Sequence, residues 1–321
     1  DSSNYQFGYN HSTGYSMIGY MCAYLRYYYP IEFCTALLNN AKNDADLANG
    51  TDLIKQLGFE LKSPVFRYAK SEYFFDKKNN VIYKGLGSIK HMSAQVAEDL
   101  YTLRDEKFSN FIDLLYAIQE LPNKPDSRQL DILVKIGYFQ EFGNAKALLT
   151  GIEVFNKFYK CKTIKVDKFK EMGYNIDDVM PYVGKATEKT LSQLDNKGII
   201  LALLRSMKMP KTTAVDMARW QCEYLGYCSI SNPNEDPSNW LVLEIKKNNY
   251  GTSWAKLWNI CYGCAREYRL NKKFATANPI EVGDYIKAVI VEKPKYKKNE
   301  DGSFSQVANE VISEVKCWKK N

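Results

Sequence analysis

Carboxylates, thiols and imidazoles are the side chains with which this chain could do chemistry, and their spacing limits what that chemistry can be. Among the 321 residues there are only two histidines, His11 and His91, so no histidine-based hydrolase constellation can be assembled. Two-metal nucleotidyl transfer needs carboxylates that hold two magnesium ions about 3.5–4 Å apart. Asp44 and Asp46 form one Asp-x-Asp pair, but in a polar stretch that reads as a helix start rather than a strand. Asp177 and Asp178 are adjacent and read as a surface turn or helix cap. Cys261 and Cys264 make one C-x-x-C. A structural zinc site takes four ligands, commonly two such pairs, and Cys222 and Cys228 are the only conceivable partners, at loose spacing. A thioredoxin-like use lacks its βαβ context. The eight cysteines are scattered, which points to reduced thiols inside a cell. No metal and no catalytic residue is assigned to this chain.

The elements that must position any site divide the chain in two. Tyr15, Ile18, Cys22, Leu25 and Tyr29 fall on one helical face. Met17, Tyr20, Met21 and Tyr24 make the other sides apolar or aromatic, which predicts a helix that is buried or packed against a ligand. Ser12 can cap its start, and Pro30 stops it at Tyr29. A second helix is expected from Asp44 to Leu57, ended by Gly58, then a hairpin of Tyr73–Asp76 and Val81–Tyr83. Periodic apolar residues predict further helices through Leu148 and again from Glu188 to Met207. From Trp240 the pattern turns to strands at 240–245, 253–260, 284–291 and 311–318, with turns at 248–251, 282–284 and 300–302. The fold class is therefore multidomain α+β, with an all-helical N-terminal part and a small C-terminal β-barrel. A net charge of +7 and 24 tyrosines are compatible with nucleic acid, since aromatic faces receive unstacked bases, although core packing is the commoner use of aromatics. No apolar run reaches the roughly 18–20 residues of a membrane span and no signal-peptide start is present, so a cytoplasmic chain without a membrane partner is expected.

The stretch FGYNHSTGYSMIGYMCAYLRYYYPIEF at 7–33 carries a more specific signal. Phe7, His11, Ser12, Tyr15, Tyr20, Ala23, Tyr24, Leu25, Tyr29, Pro30, Glu32 and Phe33 stand in register with F-N-K-S-H-S-x-x-Y, S-Y-x-x-A-Y-L-K and Y-P-x-E-F. In these positions the chain resembles the end of the fingers region in C-family bacterial replicative DNA polymerases, the DNA polymerase III alpha subunits. Gly8 and Tyr9 replace Asn and Lys, removing a point charge able to meet a phosphate. KGLGSIKHMSAQVAEDL from Lys84 is similar to the helix-hairpin-helix unit of that family, in which hairpin amides and a helix N-terminus face a phosphate. Here His91, Met92 and Ser93 stand where the glycine-bearing hairpin belongs, and a positive φ is costly without glycine. A working DNA-binding hairpin and a retained structural remnant both stay open. Arg128, Leu130, Leu133, Gly137, Phe139, Gly143, Asn144 and Leu148, then Glu223, Leu225, Gly226, Tyr227, Ser231 and Pro233, continue the cadence, with Asn232 replacing a histidine.

The resemblance implies an end-of-fingers part over 1–60, a helix-hairpin-helix domain over 61–158, a helical linker or insertion over 159–219 and an oligonucleotide-binding barrel over 220–321. It further implies that His11, Ser12, Tyr15 and Arg26 face nucleotide or template. Lys90, His91 and Ser93 in the hairpin, and Lys256, Trp258 and Arg269 in the barrel, are the DNA-binding candidates. The barrel's Trp254, Tyr262 and Tyr268 belong with them as stacking groups, half of which must fill the interior because strand alternation sends every second residue inward. Lys293, Lys295, Lys297 and Lys298 beside Tyr296 suit either a phosphate track or a solvated hairpin. The full polymerase uses Mg2+, held by palm carboxylates that precede the fingers stretch; they are expected upstream or on another chain. Primer-template and single-stranded DNA, a palm-bearing portion and a sliding clamp are the partners implied, although no good Q-x-x-[LM]-F clamp peptide is found. The alternative is a non-catalytic single-strand-binding or replication-accessory protein built from the same modules.

Overall fold

Pro30 splits the tyrosine-rich stretch into two helices, α1 (Tyr9–Tyr28) and α2 (Pro30–Asn39), with Tyr29 between them at φ −134° and ψ 56°. Proline cannot donate to α1, but it is suited to the first position of α2, where no donor is needed. The structure is a computed structural model that describes residues 8–225, 228–247, 253–298 and 303–320; Phe7, Gly226, Tyr227 and the turns at 248–251 and 300–302 lie outside the described residues. Two units are present, residues 1–209 and 210–321.

Two expectations for α1 need correction. From Tyr15 to Tyr29 its large apolar side chains are exposed rather than buried within the chain. Ser12 is not the cap either: the helix begins at Tyr9, Gly8 precedes it, and the Ser12 amide already donates to the Gly8 carbonyl at 3.1 Å. Core formation starts at α2, where Ile31, Cys34 and Leu38 pack with Ile54 of α3 (Asp44–Gln56) and Ile82. Asn43 caps α3 by accepting from the Asp46 amide at 2.9 Å, and Gly58, at φ +77°, ends it as expected. The expected hairpin forms too: β1 (Glu60–Lys62) lies parallel to β3 (Val81–Tyr83), which pairs antiparallel with β2 (Phe74–Asp76).

A single-turn 3-10 helix, Leu86–Ser88, follows, then α4 (Ala94–Thr102), α5 (Phe111–Gln119), α6 (Ser127–Lys135) and α7 (Ala145–Phe158). Leu100, Leu114, Leu115, Ile118, Ile132, Phe139 and Phe155 are buried in this helical body, which is why their period is helical. The segment expected to be a helical linker is not all helix. It forms β4 (Thr163–Lys165), α8 (Val166–Glu171), β5 (Val183–Ala186) and β6 (Thr190–Leu194) before α9 (Asn196–Ser206), with sheet order β4-β6-β5. The helix expected from Glu188 starts only at Asn196, because Asp195 caps it by accepting from the Gly198 amide at 3.0 Å.

The second unit opens with α10 (Ala214–Leu225). A closed barrel follows, made of β7 (Asn239–Lys247), β8 (Ser253–Asn259), β9 (Cys264–Leu270), β10 (Tyr285–Lys298) and β11 (Phe304–Lys320), in the order β10-β11-β9-β8-β7. The short α11 (Lys272–Ala277) bridges β9 to β10. Trp240, Val242, Ala255, Leu257, Tyr268, Leu270, Ile286 and Trp318 fill the interior. This is the expected α+β architecture, an oligonucleotide-binding-like barrel after a helical part, with β9 an additional strand. Past Val291 the two last strands pair only with each other, forming a ribbon beyond the barrel.

Candidate nucleic-acid interface

The hairpin between Leu86 and Ala94 begins with two glycines whose size is dictated by backbone. A Cβ on Gly85 would lie 2.4 Å from the Ser71 carbonyl oxygen, and one on Gly87 would lie 3.0 Å from it. With no Cβ in the way, the Leu86 and Gly87 amides reach the carbonyls of Lys70 and Ser71, both at 2.8 Å. The turn is thereby fixed against the helical body. Only this one 3-10 turn stands where the first helix of the expected pair belongs.

His91 is the tip. Its φ of +71° is the left-handed conformation that the missing glycine would have adopted without cost. Two side chains of α6 hold it there, Gln129 and Arg128. The Gln129 side-chain amide donates to the His91 carbonyl at 2.9 Å, while its oxygen accepts from the Asp126 amide at 3.0 Å. Asp126 Oδ1 accepts from the Gln129 amide at 2.7 Å, completing a capping box at the start of α6. Arg128 lies 2.8 Å from His91 Nε2; since a guanidinium only donates, this nitrogen is the acceptor and the ring proton sits on Nδ1. The strained tip is thus tied to the cap of another helix.

After the tip, Ser93 caps α4 by accepting from the Val96 amide at 3.3 Å. The preceding amides, those of Ala94 and Gln95, open the helix and have no carbonyl one turn back. Lys90, His91 and Arg128 are exposed around them. The carboxylates on α4 are drawn off elsewhere, Glu98 to the Ser71 amide at 3.4 Å and Asp99 to the Asn123 amide at 2.7 Å. Lys84 is not part of this surface: it is buried, and burial pushes its ammonium down to about 8. The arrangement can present donors and positive charge to an anion without reading a base.

The remaining candidates are distributed over other elements. His11, Tyr15 and Arg26 share a face of α1, with the rings of His11 and Tyr15 6.5 Å apart; Ser12 lies beside them. In the barrel, alternation sends Trp254, Lys256 and Trp258 outward from β8. Trp258 is nevertheless buried, because it packs with Ala218 of α10, and its indole donates to the Ile230 carbonyl at 2.9 Å; no ring face is left for a base. Tyr268 is likewise buried in the interior. Lys256 is exposed but stands directly across from Glu244 on one side and Glu267 on the other. Arg269 lies 3.8 Å from the buried Glu314, which also takes Lys293 and accepts from Asn271 at 3.3 Å. The face left open holds Trp254 directly across from Arg269. The side chains of Lys297 and Lys298 lie outside the described residues.

The thiols do not gather. The Cys222–Cys228 hydrogen bond raises the Cys222 thiol and lowers that of Cys228, whereas Cys261 turns to the Pro233 carbonyl at 3.7 Å. Among the described residues no three His, Cys, Asp or Glu side chains come together as a metal requires, and no helix is long and apolar enough to cross a membrane. Sequence reasoning named the tip but missed what holds it. The D-S-R-Q spacing of Asp126 and Gln129 is a capping-box signal that points to Gln129, and nothing local shows that its amide reaches His91.

Comparison with known proteins agrees with this geometry. A helix-hairpin-helix motif family matches residues 58–149. The DNA polymerase III subunit alpha of Campylobacter jejuni is 37% identical over 157 residues, 47% of this chain and 13% of that protein. That of Bacillus subtilis is 32% identical over 160 residues, 47% of this chain and 14% of that protein. That of Ureaplasma parvum is 27% identical over 195 residues, 57% of this chain and 20% of that protein. The matches thus span a fifth or less of those relatives. Over about half of its residues, the chain is similar to DNA polymerase III alpha subunits, and the motif and relatives together support the C-terminal portion of that family as its place.

Proposed function

We propose that this chain is the DNA-holding part of a replicative DNA polymerase, gripping primer-template and incoming nucleotide for a palm domain carried elsewhere. The observation that carries the reading is the hairpin tip: His91 keeps a left-handed backbone at a position without glycine, held by Gln129 and Arg128 beside the open end of α4. A structural remnant has no need to keep a strained conformation. In this reading a phosphate meets the Ala94 and Gln95 amides, with Lys90 adding charge. Trp254 and Arg269 take single-stranded template on the barrel, and the α1 face with His11, Ser12, Tyr15 and Arg26 borders the nucleotide. Mg2+ belongs to the palm and is given no ligand here; a sliding clamp and a cytoplasmic setting come with the polymerase assignment.

The test is salt-dependent binding of primer-template DNA by the whole chain. Lys90→Ala weakens binding on every sequence alike and lowers the salt slope by about one counterion. Joined to a palm, the same variant also loses templated extension. The accessory-protein alternative is distinguished by extension that no added palm restores, with single-strand binding intact. Absence of DNA binding at low salt sinks both.

A further inference from the structure

Between α7 and the small second sheet lies a surface that DNA holding does not use. From Lys157 to Lys170 the chain carries Lys157, Lys160, Lys162, Lys165, Lys168 and Lys170 against one acidic residue, Asp167. None of these lysines forms an ion pair among the described residues. Lys157 and Lys160 instead lie over the rings of Tyr174 and Tyr159, at 5.6 and 5.0 Å. Some lysines elsewhere are neutralised, as Lys197 is by Asp113 at 2.8 Å and Lys135 by Asp131 at 2.7 Å. Charge left uncompensated on one face sets the sign of what binds there.

The lysines surround a concavity. Lys157, Lys165 and Lys168 rim an open pocket of about 230 Å³ whose floor is Phe158, Ile164 and Phe169, with Met172 at its mouth. No carboxylate lines it. Small-molecule sites run to about 300–1,000 Å³, so this volume suits one or two side chains rather than a cofactor.

We propose that this pocket binds a short acidic peptide of a protein partner. An apolar side chain sits on Phe158, Ile164 and Phe169, and flanking carboxylates meet Lys157, Lys165 and Lys168. Nucleic acid fits less well. A phosphate backbone needs no apolar floor, and a base needs an exposed ring face. Phe158 and Phe169 are buried and meet edge to face, 5.8 Å apart at 66°. The inference is independent of the polymerase reading.

Fluorescence anisotropy with the whole chain and a labelled oligo-aspartate peptide ending in Leu-Phe tests it. Saturable binding is expected, weakening about tenfold when Leu-Phe is replaced by Ser-Ser and about tenfold in the Lys165→Glu, Lys168→Glu double variant. Met172→Glu, at an exposed position that leaves the core untouched, weakens it in the same direction, and a circular-dichroism melt checks that each variant folds. Equal binding of the Ser-Ser peptide reduces the site to a charged patch and overturns the proposal. Displacement of the peptide by oligothymidylate at equal charge and equal affinity assigns the surface to nucleic acid and overturns it as well. So does an absence of saturable binding at low salt.

Discussion

Lys84 and Tyr138 show how a buried polar atom becomes measurable. Burial lowers the Lys84 ammonium from 10.5 to about 8, so between those values the unfolded chain holds a proton that the folded chain does not. Stability from this group therefore rises with pH across that window. From about pH 8 to 9.5 urea denaturation is expected to show a gain of about 1–2 kcal/mol that Lys84→Met lacks, at about 1.4 kcal/mol per unit; parallel curves for the two chains would refute it. Among the described residues the buried Tyr138 hydroxyl has no hydrogen-bond partner, and burial raises its phenol far above the usual range. Tyr138→Phe removes that polar atom and keeps the ring against Phe66 and Phe139. It is expected to raise the unfolding midpoint, for a gain of about 1 kcal/mol.

At the scale of elements, the hairpin depends on parts distant in sequence. Gln129→Ala breaks both the α6 capping box and the bond to the His91 carbonyl. It is expected to cost about 1–2 kcal/mol in denaturant melts and to weaken DNA binding without touching DNA. Gly85→Ala drives a methyl into the Ser71 and Glu72 backbone, and overpacking of this kind costs about 1–3 kcal/mol. A fully stable Gly85→Ala chain would show that the turn is not seated as described. These elements were unequally legible. Helix α3 with its Gly58 stop, the β2–β3 hairpin and most barrel strands follow from local period and turn residues. The β6 strand was hidden because TLSQL lies between Glu188 and a helical run, with only Leu191 buried within it. Trp258 reads as a surface aromatic by alternation, since α10, which covers it, is set by tertiary packing. The exposure of α1 had no local sign either, its sides being apolar all round.

Across the whole molecule, the barrel sets an order of events. Its last strand, β11, pairs antiparallel with β10 and parallel with β9, so one segment supplies both seams. Until residues 304–320 have left the ribosome, β9 and β10 each present an unpaired edge, and edges of that kind recruit other chains. Non-local pairing of this sort is slow to form. The barrel closes only once β11 is available to both of its neighbours. Exposure to chaperones and to aggregation therefore concentrates in the interval between the making of β10 and the making of β11, when the barrel has its edges but not the strand that joins them.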